Sequence, residues 1–423
     1  MRRGAISLRA RYVFPVEGPP IADGVVAIEG GRIEWVGPAR ERAADLNLGN
    51  MAIIPGLVNA HTHLELSRMP GDVAPAPGSS QDEVAWLREV TLRRISGEWA
   101  PSYAGNVERN LAAAIEAGTT LVADITTAGM SWGAIAAAPT RAVVFAEVIG
   151  LKRHRGLQTS GEAWKWLGTI DHEGQVAANA RPGLSPHAPY STAGWLYHNA
   201  AGSRLPLTTH LAEMPEELRL LEHRDGPLRA FLEEIGAWDD EWDPIGPRPA
   251  DYIRKGELRD ADWLVAHGTY IQPSDFWQFR PQASSNGRRV AVAFCPRTNA
   301  RFGHHAHPYR ALLEKGAIVC LGTDSLASSP TLSVLDEMRF LHASDDSLSG
   351  ELILTMGTLF GAWALRAETA AGSLRPGKSA DLAVVKLPDR DEADPHMLLL
   401  ESDLPVVATM FEGDFVAGSW QGI

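Results

Sequence analysis

Apolar runs of strand length recur through the middle of this chain, and helical stretches lie between most of them. That alternation constrains the fold more than any other feature. One run, Ile53 to Ala60, precedes His61. The others are Thr119 to Asp124, Ala142 to Val148, Gly183 to Pro186, Leu207 to His210, Trp263 to His267, Val290 to Phe294 and Ala317 to Gly322. The clearest intervening helix is Asn106 to Ala117, with Gly118 as its stop. Eight β–α units over about 300 residues predict a (β/α)8 barrel of the α/β class. An open doubly wound sheet is the alternative, but neither a GxGxxG nor a GxxxxGK[ST] loop supports nucleotide binding in that style.

The two ends of the chain read differently. Val25–Glu29 and Arg32–Gly37 flank Gly30-Gly31 as a hairpin would. Asp381–Val385 and Val406–Met410 are strand-like near the other end. Neither end could bury a core by itself. Residues 1–55 and 372–423 are therefore expected to form one composite β-sandwich domain, and residues 56–371 the barrel. Met69 to Ser80, rich in proline, glycine and serine, reads as a loop over the barrel mouth. Gly236 to Pro249 reads as an irregular excursion.

Composition narrows the function classes. Thirty-nine basic side chains face 52 acidic ones, a net charge of -13, which disfavours phosphate polymers and so nucleic acid as a partner. No apolar run nears the roughly 20 residues of a membrane span, and no apolar signal segment follows the basic start Met1-Arg2-Arg3. The two cysteines, Cys295 and Cys320, sit in apolar runs and read as buried reduced thiols. A cytoplasmic protein acting on a small molecule is expected, with a homodimer as the working assembly.

The ends of the strands carry the chemistry. His61-Thr62-His63 closes one apolar run, and side chains on a strand repeat every second residue, so both imidazoles can grip one ion. Further runs close on His210, His267 and Asp324. In a barrel all these strands end at one rim. Taken singly, a histidine at a strand end is ordinarily a hydrogen-bonded core residue, and Asp324 could be a helix cap. Taken together, in barrel order, they point to one divalent ion, zinc first or ferrous iron, with a position left for water. His304, His305 and His307 read as a polar loop without a role.

These residues match a known pattern. Pro55 to His63, Ser185 to Ser191, His210 to Glu213, Cys295 to Asn299, Leu321 to Ser325 and Gly372 to Leu382 resemble motifs of the amidohydrolase superfamily, in its deaminase branch with a single metal. The resemblance spans nearly the whole chain. It implies His61, His63, His210 and Asp324 as metal ligands, with Glu213 and His267 as the acid/base pair and Asp324 assisting catalysis. It implies His187 in place of the lysine or glutamate that bridges two metals in many relatives, and so one catalytic metal. The implied activity is hydrolytic deamination through a metal-activated water.

For the substrate, Ser185 to Ser191 resembles a segment of deaminases of adenosine-like thioethers and of 6-amino-6-deoxyfutalosine, and the pairing of Cys295 to Asn299 with Gly322 to Ser329 resembles the latter more. His187 would then face the substrate, and Trp86 could stack on a base or ribose, although its helical spacing with Leu87 and Val90 equally suits core packing. A benzoate on the substrate would want a cation, for which Arg297, Arg153 and Arg155 are candidates. Adenosine, methylthioadenosine and S-adenosylhomocysteine are the alternatives, with guanine or triazines further off. Loss of catalysis, leaving a scaffold, would show as missing ligands, and none is missing. Deaminases that flip bases from nucleic acid carry an H-x-E and P-C-x-x-C signature, which Cys295-Pro296 lacks.

Overall fold

The computed structural model describes residues 4–66, 82–98, 102–172, 179–281 and 287–418. The stretch Met69 to Ser80, expected as a loop over the barrel mouth, lies outside them.

The chain opens with β1 (Ile6–Val13), β2 (Ile21–Glu29), β3 (Arg32–Pro38), β4 (Leu46–Asn47) and β5 (Met51–Pro55). A ring of parallel strands follows: β6 (Leu57–Thr62), β7 (Thr119–Thr127), β8 (Arg141–Val148), β9 (Ala180–Pro186), β10 (Leu207–Leu211), β11 (Trp263–His267), β12 (Val290–Phe294) and β13 (Ile318–Leu321). Each is hydrogen-bonded to the next in sequence order. The ring closes where the backbone N–H groups of Thr323 and Asp324 both donate to the His61 carbonyl, at 3.1 and 3.0 Å. Gly322 makes that approach feasible, because a Cβ there would sit 2.8 Å from that of His61. The expected (β/α)8 barrel is present, with seven strands where the apolar runs put them; the run Ile53 to Ala60, expected as one strand, breaks at Gly56, and its first part joins the terminal sheet.

Period-two patterning explains the layers. Leu121 and Ala123, Val143 and Phe145, and Ala291 and Ala293 join one apolar cluster inside the ring. Their neighbours Val122, Val144 and Val292 pack outwards. Helix α1 (Glu83–Ile95) follows β6 and crosses the rim, and α2 (Tyr103–Glu116) runs back to β7.

The last strands, β14 (Leu382–Lys386), β15 (Val406–Phe411) and β16 (Asp414–Gly418), return to the opening sheet. Its order is β16-β15-β14-β5-β1-β2-β3, with β4 beside β1, so the two ends of the chain meet where β14 pairs with β5. One face gathers Leu8, Val26, Ile28, Ile53, Leu382, Val384 and Met410 into a core of its own. The alternate residues Ala52, Ile54, Ala383 and Val385 join the barrel's core. A single residue, Gly56, separates the end of β5 from the start of β6. The sheet therefore fixes one end of the first barrel strand, and His61 and His63 lie at the other. Both cysteines are buried and free. Among the described residues no helix is long and apolar enough to cross a membrane.

Candidate active site

Ligating atoms of His61, His210 and His267 lie within 4.8 Å of one another, and so do those of His61, His63 and Asp324. The two sets share His61 and form one cluster, drawn from β6, β10, β11 and the turn after β13. The Nε2 atoms of His63 and His210 are 3.2 Å apart. Asp324 Oδ1 lies 3.7 Å from Nε2 of His61 and 3.8 Å from Nε2 of His63.

The backbone at this rim is strained where the side chains must turn inwards. Ala212, His267 and Asp324 have φ of 53°, 64° and 55°. Left-handed conformations of non-glycine residues cost roughly 1–3 kcal/mol each and gather at functional sites. The turn at Ala212 brings Glu213 back over the cluster. Glu217 fixes it, accepting the N–H groups of Ala212 and Glu213 at 3.0 and 3.1 Å.

The donor set fits a divalent cation. His61 is 1% exposed, yet neither of its ring nitrogens has a hydrogen-bond partner. A polar atom buried in that way ordinarily has an unseen partner. Burial holds the imidazoles of His61 and His63 well below their ordinary range, and that of His210 at about 3, so all three are neutral and can donate a lone pair. His210 Nδ1 is 3.0 Å from the His187 carbonyl. A carbonyl can only accept, so Nδ1 carries the hydrogen and Nε2 faces the cluster bare. Burial also raises Asp324 to about 7. A bound dication would reverse that shift. The Ser328 hydroxyl donates to Asp324 Oδ2 and leaves Oδ1 to the imidazoles.

Beside the cluster, Glu213 Oε1 lies 3.1 Å from His267 Nε2. Burial pushes Glu213 well above the usual carboxylate range, with Glu83, Asp324 and Glu217 adding to it. His267 is pushed down by burial and by the neighbouring imidazoles. The pair is a neutral acid against a neutral base.

Two cavities flank this centre. The larger, about 670 Å³, is lined by Leu87, Val90, Phe231, Leu232, Arg155 and His187 among others. The His187 ring stands 4.8 Å from that of His210, with Nδ1 2.6 Å from the Ser191 hydroxyl. Arg94 of α1 also lines this cavity and bridges Glu65 and Glu147, each at 3.2 Å. The smaller cavity, about 10 Å³, is bounded by Glu83, Glu213, His267, Asn299 and His304.

Of the residues expected in the site, His61, His63, His210, Asp324, Glu213 and His267 are brought together, and His187 faces the larger cavity. Two are placed elsewhere. Arg297 is turned away from both cavities. Its guanidinium and backbone N–H hold Glu337 at 2.8 and 3.0 Å, and it also donates to the Thr331 hydroxyl and carbonyl. Trp86 packs on Phe302, ring centroids 5.1 Å apart, and donates to the Ala327 carbonyl at 3.0 Å, so it anchors α1. Arg153 lies over Trp195, at 5.6 Å, whereas Arg155 reaches the larger cavity. In the loop after β12, read as without a role, His304 Nε2 lies 3.0 Å from Glu83. Glu83, Glu147 and Arg94 were not singled out either. An acid opening a helix reads as dipole compensation, and nothing in the sequence says it points inwards.

The family model for the amidohydrolase family matches residues 52–416. The chain belongs to that family, and its similarities group it with the family's deaminases. It is 30% identical over 420 residues to the 5-methylthioadenosine/S-adenosylhomocysteine deaminase of Moorella thermoacetica, covering 93% of this chain and 87% of that one. Among solved structures, the aminofutalosine deaminase of Helicobacter pylori superposes with a TM-score of 0.79 at 22% identity, over 97% of this chain and 100% of that one. An adenosine deaminase from Xanthomonas campestris with bound zinc gives 0.74 at 22% identity, over 97% and 92%.

Proposed function

We propose that this protein is a metal-dependent hydrolytic deaminase that releases ammonia from an aminopurine-containing small molecule. One observation carries the reading: a buried set of neutral imidazoles and one carboxylate stands directly beside the Glu213–His267 pair at 3.1 Å. His61, His63, His210 and Asp324 would hold a divalent ion, zinc first and iron second, which when bound would supply a water acidified toward neutral pH. Glu213, kept protonated by burial, gives its proton to the ring nitrogen beside the attacked carbon. That carbon becomes electrophilic. His267 Nε2 and Asp324 Oδ1 take protons from the attacking water, and the Glu213–His267 pair passes one to the departing amino group.

The larger cavity suits a nucleoside with an extended 5′ substituent, since about 670 Å³ is within the usual range for small-molecule sites. Leu87, Val90, Phe231 and Leu232 offer an apolar wall, and Arg155 a cation. An apolar tail ending in a carboxylate fits that pairing, so 6-amino-6-deoxyfutalosine is the first substrate to try. Methylthioadenosine and S-adenosylhomocysteine come second, favoured by the name of the Moorella relative. The test is ammonia release by the zinc-loaded protein from a panel of aminopurine nucleosides with and without a benzoate. The benzoate-bearing compound should give the highest kcat/KM. Ammonia from none of them would overturn the reading.

A further inference from the structure

The smaller cavity is built for a different occupant. It lies between the ends of β10, β11 and β12 and the first turn of α1, and Glu213 and His267 form one of its walls. About 10 Å³ accommodates one water-sized species. Glu83 is 6% exposed and lines this space, yet neither of its carboxylate oxygens accepts a well-formed hydrogen bond among the described residues. Its one near neighbour of opposite character is His304 Nε2, at 3.0 Å. His304 Nδ1 is in turn 3.2 Å from the Tyr270 hydroxyl. With the phenol donating to Nδ1, the hydrogen sits on Nε2 and faces one oxygen of Glu83. The Glu213 carboxyl lies on the other side of Glu83 and interacts with it, so an incoming donor would sit between the two carboxyls. Two buried carboxyls that face one water-sized space are short of donors, which costs several kcal/mol, so the chamber is best explained by a small hydrogen-bond donor that visits it.

Resting on the deaminase reading above, we propose that the chamber between Glu83, Glu213 and His267 binds the expelled nitrogen as ammonium, with Glu83 as its anionic partner. In the reaction a carbon–oxygen bond to water forms and the exocyclic carbon–nitrogen bond breaks, its electron pair leaving with nitrogen. Of the two water protons, one remains on the product ring and one completes ammonia. The fourth hydrogen of ammonium comes from solvent at neutral pH. The Glu213–His267 pair that protonates the amino group is also the wall of the chamber, so the leaving group moves away from the substrate tail and into Glu83.

The probe is thallium(I), a monovalent cation close to ammonium in size, soaked as the acetate into crystals of the zinc-loaded protein. An anomalous peak between Glu83 and Glu213 is expected, and it should vanish in Glu83→Gln. No peak in the wild-type protein, or one that persists in the variant, would overturn the proposal. Because this test needs no substrate, it stands apart from failure of the deaminase reading. In solution, ammonium chloride should inhibit turnover more than sodium chloride at equal ionic strength, and Glu83→Gln should weaken that inhibition by roughly tenfold. Equal inhibition by the two salts would also overturn it. If Glu83→Gln does not fold, the wild-type thallium map decides.

Discussion

The acid role proposed for Glu213 rests on where the chain puts it. The left-handed turn at Ala212 and the two N–H groups held by Glu217 aim its carboxyl at His267. Burial then keeps the proton on it. Glu213→Gln should retain the metal and lower kcat by about 100- to 10,000-fold, the usual worth of a positioned acid, as read by metal analysis and ammonia release. The sign of the pH dependence follows: a carboxyl with a raised pKa works in its protonated form, so wild-type kcat should fall on the alkaline side as that proton is lost. Near-wild-type turnover in the variant would remove Glu213 from its role. The clustering of His61, His63, His210, His267, Glu213 and Asp324 was legible in the sequence because each ends or directly follows a strand, and strand ends can be counted. Glu83 and His304 were not, because their meeting depends on how α1 docks across the rim, about 220 residues from the loop it touches. Arg297 was misread for the same reason: its carboxylate partner, Glu337, is held 40 residues further on.

Helix α1 is the element that closes the site. Among the described residues, three side chains of α1 make charged contacts that tie it down: Glu83 to His304, Arg88 to Glu234, and Arg94 to Glu65 and Glu147. They differ in depth. Arg88 and Glu234 are half-exposed, and such pairs are worth about 0–1 kcal/mol. Glu65 and Glu147 are buried, and stripping their cation costs about 3–5 kcal/mol. Arg94→Ala should therefore lower the melting temperature and raise KM for a tailed substrate by about tenfold, since Arg94 also lines the larger cavity. Arg88→Ala should change neither measurably. Equal effects of the two would contradict this account of the helix. The barrel strands themselves were readable because apolar runs between turn signals leave few alternatives, whereas the side chains with which α1 grips the rim carry no such pattern.

Across the whole molecule, the terminal sheet and the barrel share apolar packing and a buried polar joint. Arg141, at the start of β8, reaches Asp381 at 3.0 Å, and the Asp381 carbonyl accepts the Gly56 N–H at 2.8 Å where the chain enters β6. Asp381 is 4% exposed and also accepts from Ser379 and from the Glu412 N–H. Asp381→Ala should destabilise the fold by about 3 kcal/mol, measured by denaturant titration. A loss below about 0.5 kcal/mol would show that the joint is not structural. The composite architecture was readable from sequence because neither terminus holds enough apolar surface to fold alone, but the joint was not, since it pairs residues 240 positions apart.

The central claim is that one ion, on four side chains drawn from the ends of three strands, makes this barrel a deaminase. It is tested most directly by returning zinc stepwise to chelator-stripped protein while following ammonia release from an aminopurine nucleoside. Activity should be absent at the start, rise in proportion to zinc, and level off at about one equivalent, with His210→Ala inactive throughout. Full activity without metal, or a rise that continues to two equivalents, would contradict it.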